Sequence, residues 1–285
     1  MSIDSGGLGL RLGAMTLLRD LIRERMGVFF DDQRLSSLAD RLGPLVADRG
    51  FDSALDYYYL LKYDAEAETE WARVMDAISV PETYFWRETD QLLAVVDRIV
   101  PALMRSRARP LRIWCAPCAS GEEPLTLAML FDDRGRSADV QITASDASPA
   151  ALEAARAGLY RERSFRSLPA EFRTRYFTLD GTRWRIRPEI HRMVESWTQV
   201  NLADPSQVAA HAAADIIFCR NVFIYFADDA IRKVAERLAD HMPVPAYLCL
   251  GASESLLRIT DRFDLEQVGD AFVYVKREPT GKLVS

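Results

Sequence analysis

Two cysteines and two glutamates share the stretch Leu111 to Met129, which reads LRIWCAPCASGEEPLTLAM. Cys115 and Cys118 have the C-x-x-C spacing of thioredoxin-like redox centres, in which one cysteine becomes a nucleophilic thiolate. The helical pattern begins only at Glu122, several residues beyond Cys118, and a carboxylate close to a thiol disfavours its thiolate. A thiol-disulfide oxidoreductase is therefore a minor alternative for this stretch. The remaining cysteines and histidines lack paired ligand spacing, so we predict no metal site.

The same stretch favours a nucleotide-type ligand. Leu111 and Ile113 begin a strand pattern, the pattern breaks at Ala116-Pro117, and helical spacing resumes at Glu122. In open α/β sheets such a turn lies at the carboxyl edge, where backbone N–H groups and the helix dipole face a ligand. Asp146 ends the second predicted strand, close to the place of a ribose-binding carboxylate, although a helix-capping role explains it equally well.

The elements that must position these residues alternate as βαβ units, which form parallel sheets covered by helices. Further strands are predicted at Asp139 to Ala144, Asp215 to Cys219 and Ala246 to Gly251, with a final hairpin of Phe263 to Val268 and Ala271 to Lys276. Short alternating segments, Arg183 to Arg187 and Trp197 to Val200, predict a small inserted antiparallel ribbon. We therefore expect an α/β domain over residues 111–285, with an inserted β-subdomain at about 176–200.

The first part of the chain is predicted to be helical. Residues 13–79 carry amphipathic helical patterns that are typical of a small all-α domain. A proline and three aromatic residues follow, and together with a predicted helix from Thr89 to Arg105 they form a hinge and linker over residues 80–110. The terminus from Met1 to Leu12 is rich in glycine and serine and is predicted to be loose.

Arginines lie along the polar faces of this helical region. Such charges usually form a solvated face, and the alternative is a surface that binds an acidic helical partner. The candidates for that partner surface are Arg19, Arg23, Arg34 and Arg41.

Composition restricts the possible functions. The chain has 285 residues, a formal net charge of −6 and no block of lysine and arginine, which disfavours nucleic acid as a partner. No apolar run approaches the ~18 residues that a membrane span needs. Four cysteines are too few for a disulfide framework in a chain of this length. We expect a cytoplasmic protein with no direct membrane insertion.

Several strings along the chain resemble one enzyme family. The turn IWCAPCASGEEPLTLAM resembles the S-adenosylmethionine turn of the CheR-type chemotaxis receptor methyltransferases. The other similar strings, in the order of that family, are TYFWRE from Thr83, ASDASPAALEAARAGLY from Ala144, VNL from Val200, DIIFCRNVFIYF from Asp215 and LGASESL from Leu250. Several motifs in register are far more specific than any one of them.

The resemblance implies a fold and a reaction. The fold would be a Rossmann-like methyltransferase domain, with a mostly parallel sheet, a C-terminal antiparallel hairpin and an inserted antiparallel β-subdomain, preceded by an all-α domain. The reaction would transfer a methyl group from S-adenosylmethionine to glutamate side chains on the cytoplasmic helices of chemoreceptors, giving methyl esters. The enzyme would act as a monomer. A carboxylate is already ionised at pH 7, so this chemistry needs no general base.

The resemblance also assigns site residues. Asp146 would bind the ribose, Glu123 the methionine end, and Asn201 and Leu202 the adenine side of the cofactor. Arg87 and Tyr225, which also belong to the cofactor site, would orient the substrate carboxylate and are the catalytic candidates. The remaining cofactor residues would be Thr83, Cys118, Ala119, Gly121, Arg220 and Asn221. The arginines of the helical domain would contact the receptor.

Some residues depart from the family pattern. Pro81 replaces an asparagine, Ala252 a histidine and Pro117 a glycine, and a proline supplies no N–H. The turn would therefore use the N–H groups from Cys118 to Glu122. Pro81 and Pro117 motivate a second alternative, a module that binds S-adenosylmethionine or S-adenosylhomocysteine without turnover. The ribbon is short, which argues against the docking of a receptor C-terminal pentapeptide there.

Overall fold

The computed structural model describes residues 12–80, 82–107 and 109–278. Most of the predicted loose terminus and the departure at Pro81 lie outside the described residues. The helices are α1 Leu12–Met26, α2 Leu35–Asp48, α3 Ala54–Tyr63, α4 Ala67–Ile78, α5 Thr89–Ala94, α6 Val100–Met104, α7 Glu122–Asp133, α8 Pro149–Ala157, α9 Ala170–Tyr176, α10 Pro188–His191, α11 Pro205–His211 and α12 Asp228–His241. The strands are β1 Leu111–Cys115, β2 Val140–Asp146, β3 Leu159–Tyr160, β4 Phe177–Asp180, β5 Arg183–Ile186, β6 Val194–Gln199, β7 Ile216–Phe218, β8 Ala246–Cys249, β9 Asp264–Val268 and β10 Ala271–Lys276.

The chain divides into two compact units. Among the described residues, the first comprises those up to Val80 together with Tyr225–Ala227, and the second comprises the others. In the first unit, α1 and α2 bury apolar side chains at helical spacing, such as Leu18 and Ile22 on α1 and Leu38 on α2. The predicted all-α region is confirmed. None of the described helices combines the length and the apolar character needed to cross a membrane.

The second unit contains a seven-stranded sheet with the order β6-β2-β1-β7-β8-β10-β9. The strands from β6 to β8 in this order are parallel, and β10 and β9 are antiparallel at one edge, as predicted. Because β2 and β7 pair on opposite sides of β1, the connections leave β1 in opposite directions. The carboxyl ends of β1 and β7 therefore form a topological switch point, where ligands bind in such sheets.

A small second sheet has the order β3-β5-β4, with antiparallel pairs. The predicted inserted β-subdomain is thus present, and β4 and β5 turn at Gly181, whose φ is 61°. The assignment of Trp197 to Val200 to this ribbon is wrong, because β6 pairs in parallel with β2 at the edge of the large sheet. The alternation identified a strand correctly, but local spacing carries no information about which strand is its partner.

The predicted helix from Thr89 to Arg105 is interrupted by a wide π turn at Val95–Ile99 between α5 and α6. Pro101 follows two positions after the last residue of this turn, and a proline has no N–H for the helical ladder. A π turn shifts the register at such a point without ending the helix.

Candidate functional site

The turn after β1 is tied to the end of β2 by backbone hydrogen bonds. The N–H of Cys118 donates to Ser145 O at 2.8 Å, and the N–H of Ala119 donates to Asp146 Oδ2 at 2.8 Å. The N–H of Gly121 donates to Cys118 O at 2.9 Å. The expectation that all N–H groups from Cys118 to Glu122 serve a ligand is therefore wrong for these three, since protein atoms already use them.

Asp146 joins two turns at the carboxyl edge of the sheet, and the N-cap of α8 is Ser148. Its Oδ1 accepts the N–H of Ser148 at 2.9 Å, and Ser148 in turn caps α8 by accepting the N–H of Ala151. Its Oδ2 holds the turn after β1 through Ala119. A carboxylate accepts about four hydrogen bonds. Asp146, which is 9% exposed, uses this capacity to join the turn after β1 to the start of α8.

Gly121 marks the closest packing in the turn. Its φ is 92°, and a Cβ there would lie 2.9 Å from Trp197 Cη2 and 3.2 Å from Ala155 Cβ. Only glycine combines this backbone with this contact. The turn therefore enters α7 in close contact with Trp197 on β6 and Ala155 on α8.

A buried arginine joins two carboxylates beside this turn. Arg220, whose side chain is 2% exposed, donates from Nη1 to Glu123 Oε2 at 2.8 Å and from Nη2 to Glu88 Oε2 at 3.0 Å. Among the described residues, Glu123 Oε1 and Arg220 Nε are buried without a hydrogen-bond partner. Burial raises the pKa of Glu123 despite the nearby guanidinium. Arg87 Nε lies 3.7 Å from Glu88 Oε1, so the two carboxylates and two guanidinium groups balance when ionised, and Glu123 Oε1 is the oxygen that a ligand donor can still reach.

Strained backbone is concentrated around these groups. Within the described residues, the non-glycine residues with positive φ are Trp86 at 70°, Glu88 at 48°, Ala119 at 46° and Asn221 at 57°. Asn221 follows β7 beside Arg220, and its Nδ2 donates to Glu88 Oε1 at 3.2 Å. Left-handed backbone is costly for residues other than glycine and is retained mainly at functional sites.

Sequence reasoning missed Glu254, which joins the loops after β7 and β8. Its carboxylate accepts backbone N–H groups of Asn221 at 2.8 Å, Phe223 at 2.6 Å and Gly251 at 2.7 Å. A Cβ at Gly251 would lie 2.5 Å from Asn221 Nδ2, so the close approach requires glycine. The only signal in the sequence was the position of Glu254 inside the LGASESL string.

The predicted hinge residues extend from a buried aromatic anchor. Phe85 is 0% exposed, its ring lies 4.7 Å from that of Tyr160, and its N–H donates to Ser164 O at 2.9 Å. Arg87 Nη1 donates to Glu82 O at 2.6 Å, and its Nε lies 3.7 Å from Glu88 Oε1. Thr83 is half-buried in the same segment.

The predicted adenine-side residues follow β6. Asn201 Oδ1 accepts the N–H of Ala203 at 3.0 Å, and the N–H of Asn201 donates to Gln207 Oε1 at 2.8 Å. Leu202 is 6% exposed. These hydrogen bonds fix the turn that begins α11.

The remaining predicted residues belong to the first unit. Tyr225 O accepts the N–H of Phe29 at 2.8 Å. Arg19 pairs with Asp20 and Asp32, and Arg41 Nη1 donates to Ile78 O at 2.8 Å, at the C-terminus of α4. The guanidinium carbons of Arg23 and Arg34 lie 5.3 and 5.2 Å from the ring centres of Phe29 and Phe30, respectively.

The cysteines do not form a reactive pair. Cys115 is 0% and Cys118 2% exposed, and burial raises the pKa of both thiols well above the usual range. A redox cysteine needs an accessible sulfur and a depressed pKa. The geometry thus opposes the oxidoreductase alternative. Among the described residues, no group of three or more His, Cys, Asp or Glu side chains could hold a metal ion.

Comparisons with known proteins agree with this geometry. A family model described as "CheR methyltransferase, SAM binding domain" matches residues 81–272, and one described as "CheR methyltransferase, all-alpha domain" matches residues 14–79. The "Chemotaxis protein methyltransferase 2" of Vibrio cholerae is 33% identical over 264 residues, which cover 90% of this chain and 91% of that protein. The "Chemotaxis protein methyltransferase 1" of Pseudomonas aeruginosa is 32% identical over 267 residues, which cover 90% and 96%.

Proposed function

The chain belongs to the CheR methyltransferase family, and we propose that it transfers the methyl group of S-adenosylmethionine to glutamate side chains of chemoreceptors. S-adenosylmethionine is the cofactor of this domain. One observation above all supports a methyl donor of this kind at the switch point. Glu123 offers there a buried carboxylate oxygen without a partner among the described residues, beside the Arg220 that holds its other oxygen.

The residues at the carboxyl edge fit this cofactor. Glu123 Oε1 would accept a hydrogen bond from the ammonium group of the methionine end. A hydrogen bond between charged groups is stronger than a neutral one. Asp146 would accept the ribose hydroxyls. Asn201 and Leu202 would bound the adenine. Ser120 and Glu122 have backbone N–H groups at the start of α7 that can face the carboxylate of the cofactor.

The chemistry needs little from the protein besides alignment. When bound, S-adenosylmethionine supplies an electrophilic methyl group on a sulfonium. A carboxylate oxygen of the acceptor forms the new C–O bond while the C–S bond breaks and its electron pair stays on sulfur. The side chain of a solvated glutamate has a pKa of about 4.3, so the acceptor is ionised at pH 7 without a base. Positioning is therefore the main contribution of the enzyme.

We assign this positioning to Arg87 and Tyr225, by the family resemblance. Arg87 would donate to the acceptor carboxylate and Tyr225 would donate its hydroxyl. The contact with Arg87 should be modest, since tight binding of the ionised ground state slows transfer. We further propose that the enzyme is cytoplasmic and monomeric, and that it acts on the cytoplasmic helices of receptors and not on nucleic acid. The proposed domains are residues 13–79, 80–110 and 111–285.

The test combines two measurements. The enzyme is incubated with methyl-labelled S-adenosylmethionine and chemoreceptors from the same cell, and alkali-labile label on the receptor is expected, because methyl esters hydrolyse in base. In calorimetry, Asp146→Ala should severely weaken cofactor binding. Receptor that stays unlabelled while the cofactor binds would favour the non-catalytic module. Unchanged affinity of Asp146→Ala would overturn the assignment of the ribose site.

A further inference from the structure

Two apolar side chains face solvent on the loops that follow β7 and β8. Ile224 is 49% exposed and Leu257 is 67% exposed. Single exposed apolar residues are common on soluble proteins. These two differ from most because both loops leave the carboxyl edge of the sheet, the edge at which Glu123 and Asp146 lie. Any acceptor that reaches the methyl group must approach across this edge.

The two loops form one fixed surface. Glu254 accepts the backbone N–H of Ile224 at 3.3 Å as well as that of Gly251 at 2.7 Å, so a single carboxylate holds both loops. Leu256, directly before Leu257, is 1% exposed, and its N–H donates to the hydroxyl of Tyr274 at 2.9 Å. Ile224 and Leu257 are therefore presented by anchored backbone.

An arginine with unused donors completes this surface. Arg258 is exposed and makes no side-chain hydrogen bond or ion pair with the described residues. Arg220, one of the predicted cofactor residues, is by contrast bound to Glu88 and Glu123. An exposed arginine with unused donors beside an apolar side chain favours a partner that is both apolar and acidic.

We infer that Ile224, Leu257 and Arg258 form the docking surface for the helical segment that carries the methyl-accepting glutamate. This inference rests on the proposed function. A glutamate on an amphipathic helix has apolar residues three or four positions away, on the adjoining face. Those residues would cover Ile224 and Leu257 while the glutamate enters the site. Further carboxylates along the helix would pair with Arg258.

The experiment measures steady-state methylation of a receptor fragment that contains the methylation helices and lacks the C-terminal tail. Ile224→Asp and Leu257→Asp are compared with Leu179→Asp, because Leu179 is 65% exposed on β4 and matches Leu257 in type and exposure. We expect each loop variant to raise the KM for the fragment about tenfold, which corresponds to the loss of roughly half of a leucine's burial. Leu179→Asp should leave this KM unchanged.

Arg258→Glu should also raise the KM for the fragment, and its effect should shrink at high ionic strength, since the contact is exposed. Cofactor affinity, measured by calorimetry, should be the same in all variants. An unchanged KM in both loop variants would overturn the inference, as would a loss of cofactor affinity that accounts for the whole effect. If the wild-type enzyme left the fragment unlabelled, the proposed function would fail first, and the docking surface with it.

Discussion

Each unit of the molecule pairs a largely buried glutamate with arginine, and the two clusters differ in how many hydrogen bonds are made. In the first unit, Glu70 is 0% exposed and accepts from Tyr57 Oη at 2.7 Å, from Arg49 Nη2 at 2.6 Å and from Arg73 Nη1 at 3.2 Å. In the second, Glu123 has one arginine, Arg220, and its Oε1 has no partner among the described residues.

The pKa shifts of the two carboxyl groups have opposite signs. Burial raises the pKa of Glu70, but hydrogen bonds from Tyr57 and Arg49 outweigh burial and leave it lowered. Burial also raises the pKa of Glu123, and there the guanidinium of Arg220 is not enough to compensate. A saturated cluster stabilises the fold. An unsaturated cluster is costly until a cation completes it, which is the expected property of a binding site.

The largest expected effect concerns stability. Glu70→Ala should lower the free energy of unfolding by about 3 kcal/mol, because it leaves the buried hydroxyl of Tyr57 and the inner donors of two arginines without an acceptor. Denaturant unfolding measures this loss. Cofactor affinity should not change. Asp48→Ala is the matched control, since Asp48 pairs with Arg73 at 2.7 Å at an exposed position and should contribute less than ~1 kcal/mol.

Glu123→Gln should give the reverse pattern. The neutral amide has no negative charge to balance that of the ammonium group. Affinity for S-adenosylmethionine should therefore fall about 30- to 100-fold, or roughly 2 to 3 kcal/mol. Stability without cofactor should be unchanged or higher, because a buried charge with a raised pKa is removed. Calorimetry and thermal unfolding separate the two quantities. A variant that loses stability but keeps its affinity would contradict the comparison.

The pH dependence of cofactor binding follows from the same carboxyl group. The pKa of Glu123 is raised in the free protein, and a bound cation lowers it again, so binding releases a proton below that raised pKa. Affinity should therefore fall as the pH drops through that raised pKa, by up to about tenfold per pH unit. Glu123→Gln should flatten this profile. A wild-type profile without this slope would show that Glu123 does not contact the cation.

The sequence predicted the parts of the site that lie close together along the chain. The turn from Cys118 to Glu123 and the carboxylate of Asp146 could be predicted because a strand end, a turn and a helix start are local patterns. Glu88 and Arg220 also lie in recognisable strings, but they are 132 positions apart. Their pairing depends on the path of the chain through the whole sheet, so no local pattern reports it.

Long-range partners also explain the other errors. The strand β6 was recognised, but its pairing with β2 was not, because side-chain alternation is the same in either sheet. Glu254 was missed because it acts only on backbone N–H groups of loops brought together by β7 and β8. A glutamate in a polar string looks like a solvated residue until those loops are placed.

The smallest effects concern the arginines of the first unit, where the same distinction between used and unused donors applies. Arg34 is exposed and makes no side-chain hydrogen bond or ion pair with the described residues, whereas Arg41 donates to Ile78 O. Arg34→Ala should raise the KM for receptor about two- to threefold, an effect that high salt removes.

Arg41→Ala should instead lower the free energy of unfolding by about 1 kcal/mol, because α4 loses a donor at its C-terminal carbonyls, with little change in KM. Methylation kinetics and denaturant unfolding on both variants test this division. Equal changes in KM would mean that the hydrogen bonds an arginine makes within the protein do not distinguish structural from receptor-binding arginines. Arg41 would then keep the receptor-binding role that the sequence predicts.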